Sequence, residues 1–289
     1  MLSYKHGFHA GNFADLHKHI VLEIALNAFQ RKEKPFSYME THAGSGLYDL
    51  TNPQAKKNSE FKKGIKPLVD YSLDQSKKQA VPALIQSYLD KIARVNDPKQ
   101  LRSYPGSPLI GASVAVESGG SAVLMELHTS ESQKLKKNLS GLSNVHIHHR
   151  DGLEGVVGLL PPAEKRGLVL IDPSYELKKN YKEVHEVMQK MVARWAGGTI
   201  LIWYPILAEP KHRGLIAELQ RGGIRKIFHS TYLKASDPDS TKLPGMIGSG
   251  MLIVNPPWKF GDQLHTLFKW LTTQVFPEDR FTGEWLVPE

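Results

Sequence analysis

The chain has 289 residues, 40% hydrophobic and 23% charged, a balance that excludes a disordered or fibrous protein and suits one large domain with an embedded subdomain. Its 37 Lys and Arg exceed its 29 Asp and Glu for a net charge of +8, which favours a polyanionic partner, and the absence of cysteine excludes disulfides, thiolate zinc sites and a cysteine nucleophile. No run approaches the roughly 18 apolar residues of a membrane span, and Met1-Leu2-Ser3-Tyr4-Lys5-His6 lacks a signal peptide's apolar core, so a cytoplasmic protein without a membrane partner is expected.

In chain order, the first feature is the stretch from Tyr4 to His19, which gathers His6, His9, His17 and His19. It reads as a contact surface for a cofactor or nucleic acid, the plainer alternative being a surface helix capped by Asp15. A metal site is not expected, because the four histidines show no ligand spacing and no nearby carboxylate pair. Pro35 to Thr41 reads as a strand entering the turn His42-Ala43-Gly44-Ser45-Gly46, where glycine lets the backbone approach a nucleoside cofactor. That turn lacks the Gly-Lys-Ser/Thr ending of a phosphate loop and the third glycine of a dinucleotide fingerprint.

Residues 50–104 break the rhythm with a Lys-rich, helix-like insertion, in which Phe61, Ile65, Leu68 and Val69, then Leu84, Ile85, Tyr88, Leu89 and Ile92, stand at helical spacings. Lys56, Lys57, Lys62, Lys63, Lys66, Lys77 and Lys78 make it a candidate for holding nucleic-acid phosphates. The division is thus 1–49 and 105–289 for the main domain and 50–104 for an inserted helical subdomain. Leu109 to Val116 reads as the helix belonging to the first strand. Strands at Ser121–Leu127, Asn144–His149, Gly167–Ile171 and Thr199–Tyr204 then alternate with helices at 129–140, 152–160, 178–195 and 209–221. This pattern predicts a doubly wound α/β sheet. Lys226–Leu233 and Gly250–Val254, joined only by a loop, predict an antiparallel pair at its end.

Chemistry concentrates at Asp172-Pro173-Ser174-Tyr175, which follows the apolar strand Gly167–Ile171 at the edge where ligands of open α/β sheets bind. Adenine N6 is a poor nucleophile because its lone pair is delocalised into the ring, and acceptors aimed at the amine return that density to nitrogen. Asp172 offers a side-chain oxygen, Pro173 a carbonyl, and Tyr175 an aromatic face for an extruded base. Glu126 ends one upstream strand in a position suited to ribose hydroxyls, and Asp151-Gly152 ends the next in a position suited to a cofactor's adenine edge; each is equally readable as a helix cap. Asn255-Pro256-Pro257-Trp258 fits the same acceptor-proline-aromatic pattern. Chain order favours Asp172, which lies on the strand directly after those of Glu126 and Asp151.

Leu2-Ser3-Tyr4-Lys5-His6, His9-Ala10-Gly11-Asn12, Lys18-His19, Thr41-His42-Ala43-Gly44, Tyr104-Pro105-Gly106-Ser107-Pro108, Asp151-Gly152 and Gly250-Met251 through Asn255-Pro256-Pro257-Trp258-Lys259 together resemble the RlmJ-type 23S ribosomal RNA adenine-N6 methyltransferases. Some older members of that family were described as acting in the use of external DNA. The resemblance spans nearly the whole chain. It implies a Rossmann-like α/β methyltransferase sheet with a small helical insertion, S-adenosylmethionine as cofactor and 23S rRNA as partner, in a protein expected to be monomeric. It also implies cofactor contacts at His19, His42, Ser107, Glu126, Asp151, Gly152 and Asp172. Asp172 with Pro173 and Tyr175 would carry catalysis, and Tyr4, His6 and Lys18 would face the substrate. Ser174 departs from the family's usual second proline, which removes one rigid bond from the turn. A DNA adenine methyltransferase, a protein glutamine methyltransferase and a non-catalytic nucleic-acid-binding protein are the rival readings, since fold alone separates none of them.

Overall fold

A computed structural model describes residues 6–77, 79–97, 100–177, 179–235 and 245–289, all with side chains except Gln54. Tyr4, Lys78 and residues 236–244 lie outside the described residues. After a single 3-10 turn at His6–Phe8 comes α1 (Phe13–Gln30). Its cap is Asn12 and not Asp15: Asn12 Oδ1 accepts from the Ala14 and Asp15 amides, both at 2.9 Å. The helix is not on the surface either, since every residue from Ala14 to Leu26 is buried.

β1 (Ser37–Glu40) is fully buried and leads through the glycine turn to β2 (Leu47–Asp49). The insertion holds α2 (Pro53–Asn58), α3 (Ile65–Leu73) and α4 (Ala83–Ala93), after which β3 (Ser103–Pro105) returns to pair antiparallel with β2. Ile65, Leu68, Ile85, Tyr88, Leu89 and Ile92 are buried here, as their spacing requires. They belong to the same continuous core as the sheet. α5 (Ser107–Glu117), β4 (Ser121–Met125), α6 (Thr129–Asn138), β5 (Val145–His148), α7 (Gly152–Val156), β6 (Gly167–Ile171), α8 (Lys179–Arg194), β7 (Thr199–Leu207) and α9 (His212–Arg221) follow in the expected alternation. The chain ends in β8 (Ile227–Leu233), β9 (Met246–Val254), α10 (Phe260–Gln274) and β10 (Arg280–Val287).

Eight strands form one sheet in the order β10-β8-β9-β7-β6-β1-β4-β5. β5, β4, β1, β6 and β7 run parallel, while β9 is antiparallel to both β7 and β8, and β10 is antiparallel to β8. β6 is buried at all five positions and reads as the continuous apolar run of a strand covered on both faces. From β1 the chain builds outward to β4 and β5, then crosses back to β6 and β7, so the strand order reverses between β1 and β6. Such a switch point opens a crevice beyond the carboxyl ends of the strands, where ligands bind. α1 closes one side of it by packing on α4, α5, α10 and β9. Among the described residues, no helix is long and apolar enough to cross a membrane.

Candidate active site

The crevice is a cavity of about 410 Å³, and β1, β4, β6 and the starts of α5 and α7 each bring a residue to it. His42 and Gly44 follow β1. Gly44 has φ 60° and its amide donates to Glu126 Oε2 at 2.7 Å, while Glu126 Oε1 accepts from the His128 amide at 2.7 Å. The carboxylate after β4 thus fixes the glycine turn from the neighbouring strand. Burial raises the Glu126 pKa against the pull of those two amides.

Asp151 is indeed a helix cap, with Oδ1 accepting from the Leu153 and Glu154 amides, and it lines the cavity as well. Gly152 follows it because nothing larger fits: a Cβ there would lie 2.0 Å from the Thr41 carbonyl oxygen. Ser107 opens α5 and donates to Glu40 Oε1 at 2.6 Å, and Tyr38 donates to Glu40 Oε2 at 2.6 Å. Glu40 is fully buried, and burial pushes its pKa up to about 8 despite both hydroxyls. Sequence reasoning passed over Glu40, because a strand's last residue carries no mark of which neighbour it will meet.

Asp172 stands where β6 ends. Its Oδ2 accepts from Lys18 Nζ at 2.6 Å, and the same ammonium lies 3.0 Å from Asp15 Oδ1. Asp15 Oδ2 in turn bonds His6 Nε2 and the Gly11 amide, both at 2.9 Å. Burial opposes the Lys18 charge, but Asp15 and Asp172 outweigh it and hold its pKa well above the ordinary lysine value.

A second cavity of about 190 Å³ lies on the other side of this cluster, walled by Tyr175, Trp203, Pro205 and Met246. His6, Lys18, Asp172 and Ser174 line both cavities, so the two meet at Asp172. Tyr175 takes φ 51° and is buried, its ring 4.5 Å from that of Tyr181 and 6.1 Å from that of Trp203. A left-handed tyrosine is strained, and strain of this kind collects at functional turns.

Of the seven expected cofactor residues, His42, Ser107, Glu126, Asp151, Gly152 and Asp172 line the larger cavity. His19 does not line it. Its ring stacks on Tyr104 at 5.5 Å, with Nδ1 and the Tyr104 hydroxyl 2.9 Å apart, while Nε2 is buried without a hydrogen-bond partner. Burial lowers its pKa to about 3, so the ring is neutral. The histidines of the N-terminal stretch go to separate partners: His6 to Asp15, His9 to Glu60, His17 to Ser230 and Ser249, His19 to Tyr104. Among the described residues, no group of three metal-ligating side chains converges.

Asn255 is excluded by topology. β9 runs antiparallel, pairing Val254 with Ile200 at the start of β7, so Asn255 lies at the end of the sheet opposite Asp172. Its Nδ2 donates to the Ala196 and Gly198 carbonyls at 2.7 and 2.9 Å, and Trp258 after it is 85% exposed.

A family model described as "Ribosomal RNA large subunit methyltransferase D, RlmJ" matches residues 33–287. The chain is 40% identical over 292 residues to the ribosomal RNA large subunit methyltransferase J of Haemophilus influenzae, and 36% over 291 residues to that of Escherichia coli. In both cases the whole of each chain is covered. A Legionella pneumophila protein of known structure superposes with a TM-score of 0.83 at 33% identity, covering 96% of this chain and 98% of its own. The cavities that meet at Asp172 therefore belong to a member of the RlmJ family of ribosomal RNA large subunit methyltransferases.

Proposed function

We propose that the chain transfers the methyl group of S-adenosylmethionine to N6 of an adenine in 23S rRNA. One observation carries the reading: a large polar cavity and a smaller aromatic one share Asp172 as their common wall. The larger cavity fits the cofactor. Glycines at 44 and 152 let the chain pack closely on Tyr48 and on the Thr41 backbone at the cavity's wall, and Glu126 and Asp151 offer acceptors for hydroxyl and amine donors. Glu126, Glu131, Asp151, Asp172, Glu176 and Glu183 outnumber Lys18 and Lys179 along its wall, a lining suited to a cation. S-adenosylmethionine supplies an electrophilic methyl on a sulfonium: the nitrogen–carbon bond forms as the sulfur–carbon bond breaks, and the electron pair of that bond stays on sulfur.

The chain's own residues handle the amine. Asp172 Oδ2 is taken by Lys18, which leaves Oδ1 to accept from N6, with the Pro173 carbonyl as second acceptor. The smaller cavity receives the extruded base, with Tyr175 and Trp203 supplying aromatic wall. The amine proton leaves to Asp172 and from there to solvent. His6 and Lys18 line both cavities and so can face the substrate, and the segment of α2 and the turn after it lies beside the smaller one. Glu60 in that turn bonds His9 and Asn12, which line the smaller cavity. The exposed Lys56, Lys57, Lys62 and Lys63 are thereby carried near the cavity's rim, where they hold RNA phosphates.

The test is methyl transfer from labelled cofactor to 23S rRNA, duplex DNA and protein offered separately. Label in the rRNA alone is expected. Label in DNA or in protein contradicts the reading.

A further inference from the structure

Asp15 is a buried carboxylate with no capping duty. Asn12 already serves the helix end, and Asp15 is only 2% exposed at the third position of α1. A charge so placed is costly unless it is paired. Both of its side-chain contacts run toward the site, Oδ1 to Lys18 Nζ at 3.0 Å and Oδ2 to His6 Nε2 at 2.9 Å, while Oδ2 also accepts from the Gly11 amide at 2.9 Å. Lys18 then reaches Asp172 at 2.6 Å. His6, Asp15, Lys18 and Asp172 form one unbroken chain, three members of which line both cavities.

From this geometry we infer that Asp15 is a positioning residue for methyl transfer: it anchors Lys18 against Asp172 and takes a share of its charge. The inference rests on the function proposed above. A lysine side chain is flexible, and a single partner leaves its four-carbon stem free to swing. A second buried partner fixes it. The charge argument is separate. Paired with Asp172 alone, Lys18 would cancel the carboxylate's charge and leave a weak acceptor for the amine. Shared between two carboxylates, Lys18 neutralises Asp172 less than it would as a sole partner, so more of the carboxylate's charge faces the nitrogen that becomes positive as it takes the methyl group. A fixed negative environment at a site of developing positive charge lowers the barrier. Burial opposes the Asp15 charge, but His6 and Lys18 hold its carboxyl well below the usual range, so the charge is present at neutral pH.

The test uses Asp15→Asn, which keeps the shape and an acceptor oxygen but removes the charge, with 23S rRNA as methyl acceptor. The expected result is a fall in kcat of about 100-fold, the size typical of losing one preorganised electrostatic partner, with KM for S-adenosylmethionine changed by less than about threefold. Lys18→Met and the double variant complete the cycle. Residues acting as one unit give non-additive losses, so the double variant falls no further than Lys18→Met alone. Should Asp15→Asn fold poorly, the comparison of the double variant with Lys18→Met still decides. A kcat for Asp15→Asn within about twofold of wild type, or losses that multiply in the double variant, overturns the inference. A wild-type chain that labels no rRNA at all contradicts the functional reading instead, so the two failures are told apart.

Discussion

Gly152 shows how tightly the wall of the larger cavity is packed against the Thr41 backbone. Adding one methyl group there places a Cβ 2.0 Å from the Thr41 carbonyl, and backbone on both sides must move. A displacement of about 1 Å at a positioned group costs about 100-fold. Gly152→Ala is expected to weaken S-adenosylmethionine binding by about 10- to 100-fold, as read by titration calorimetry; unchanged affinity would place the cofactor elsewhere. Asp151-Gly152 was legible in sequence because it ends a strand, and strand ends are where an α/β sheet binds. Asp172 was legible for the same reason, and Asn255 was a rival only until β9 proved antiparallel. Asp15 was not legible. Cap chemistry is local, and Asn12 and Asp15 both suit a helix start; what Asp15 does instead depends on Lys18 reaching Asp172, 154 positions further on, which no short window contains. His19 marks a further limit: its partner Tyr104 lies 85 positions away in sequence.

Among the elements, the alternating half of the chain was readable because buried parallel strands are continuous apolar runs and their helices are amphipathic. The readings at 129–140, 178–195 and 209–221 differ from α6, α8 and α9 by no more than three residues at any end. β10 was not read. Its residues are exposed or half-buried throughout, as befits an edge strand, so no apolar run marks it. β2 and β3 are three residues each and stand 54 positions apart at their nearest paired ends, so only the folded chain shows them bracketing the insertion. The insertion itself carries a prediction. Lys56, Lys57, Lys62 and Lys63 are exposed on α2 and the turn after it, and each single-stranded phosphate contact adds about 0.7 to the slope of log affinity against log salt. Replacing all four with Gln should flatten that slope by nearly 3 for an rRNA fragment, while leaving S-adenosylmethionine affinity unchanged. An unaltered slope would remove these lysines from the RNA contact.

For the molecule as a whole, buried neutral histidines set the acid side of stability, with His229 lowered to about 4 beside His17 and His19. Burial lowers His17 and His19 to about 3, His17 being held between the Ser230 and Ser249 hydroxyls. The unfolded chain takes up protons at both near pH 6.5, whereas the folded chain does not until about pH 3. Stability therefore falls as pH drops below 6.5, by roughly 1.4 kcal/mol per pH unit for each fully neutral ring. Urea unfolding at pH 7 and 5.5 should show this loss, and His17→Gln should remove only the part that belongs to its own ring, about a third or less because His19 and His229 carry as much; a flat profile would contradict the burial argument. Asp15 acts in a separate window, because its depressed carboxyl loses its contribution only as pH falls below the ordinary carboxylate range. What the fold accomplishes overall is to set the Asp172 carboxylate between two cavities, and the most direct test of its proposed role is nucleoside mass spectrometry of 23S rRNA after incubation with S-adenosylmethionine. The account predicts N6-methyladenosine with the wild-type chain and none with Asp172→Ala. A methyl group on any other nucleoside, or N6-methyladenosine formed at near wild-type rate by Asp172→Ala, would contradict it.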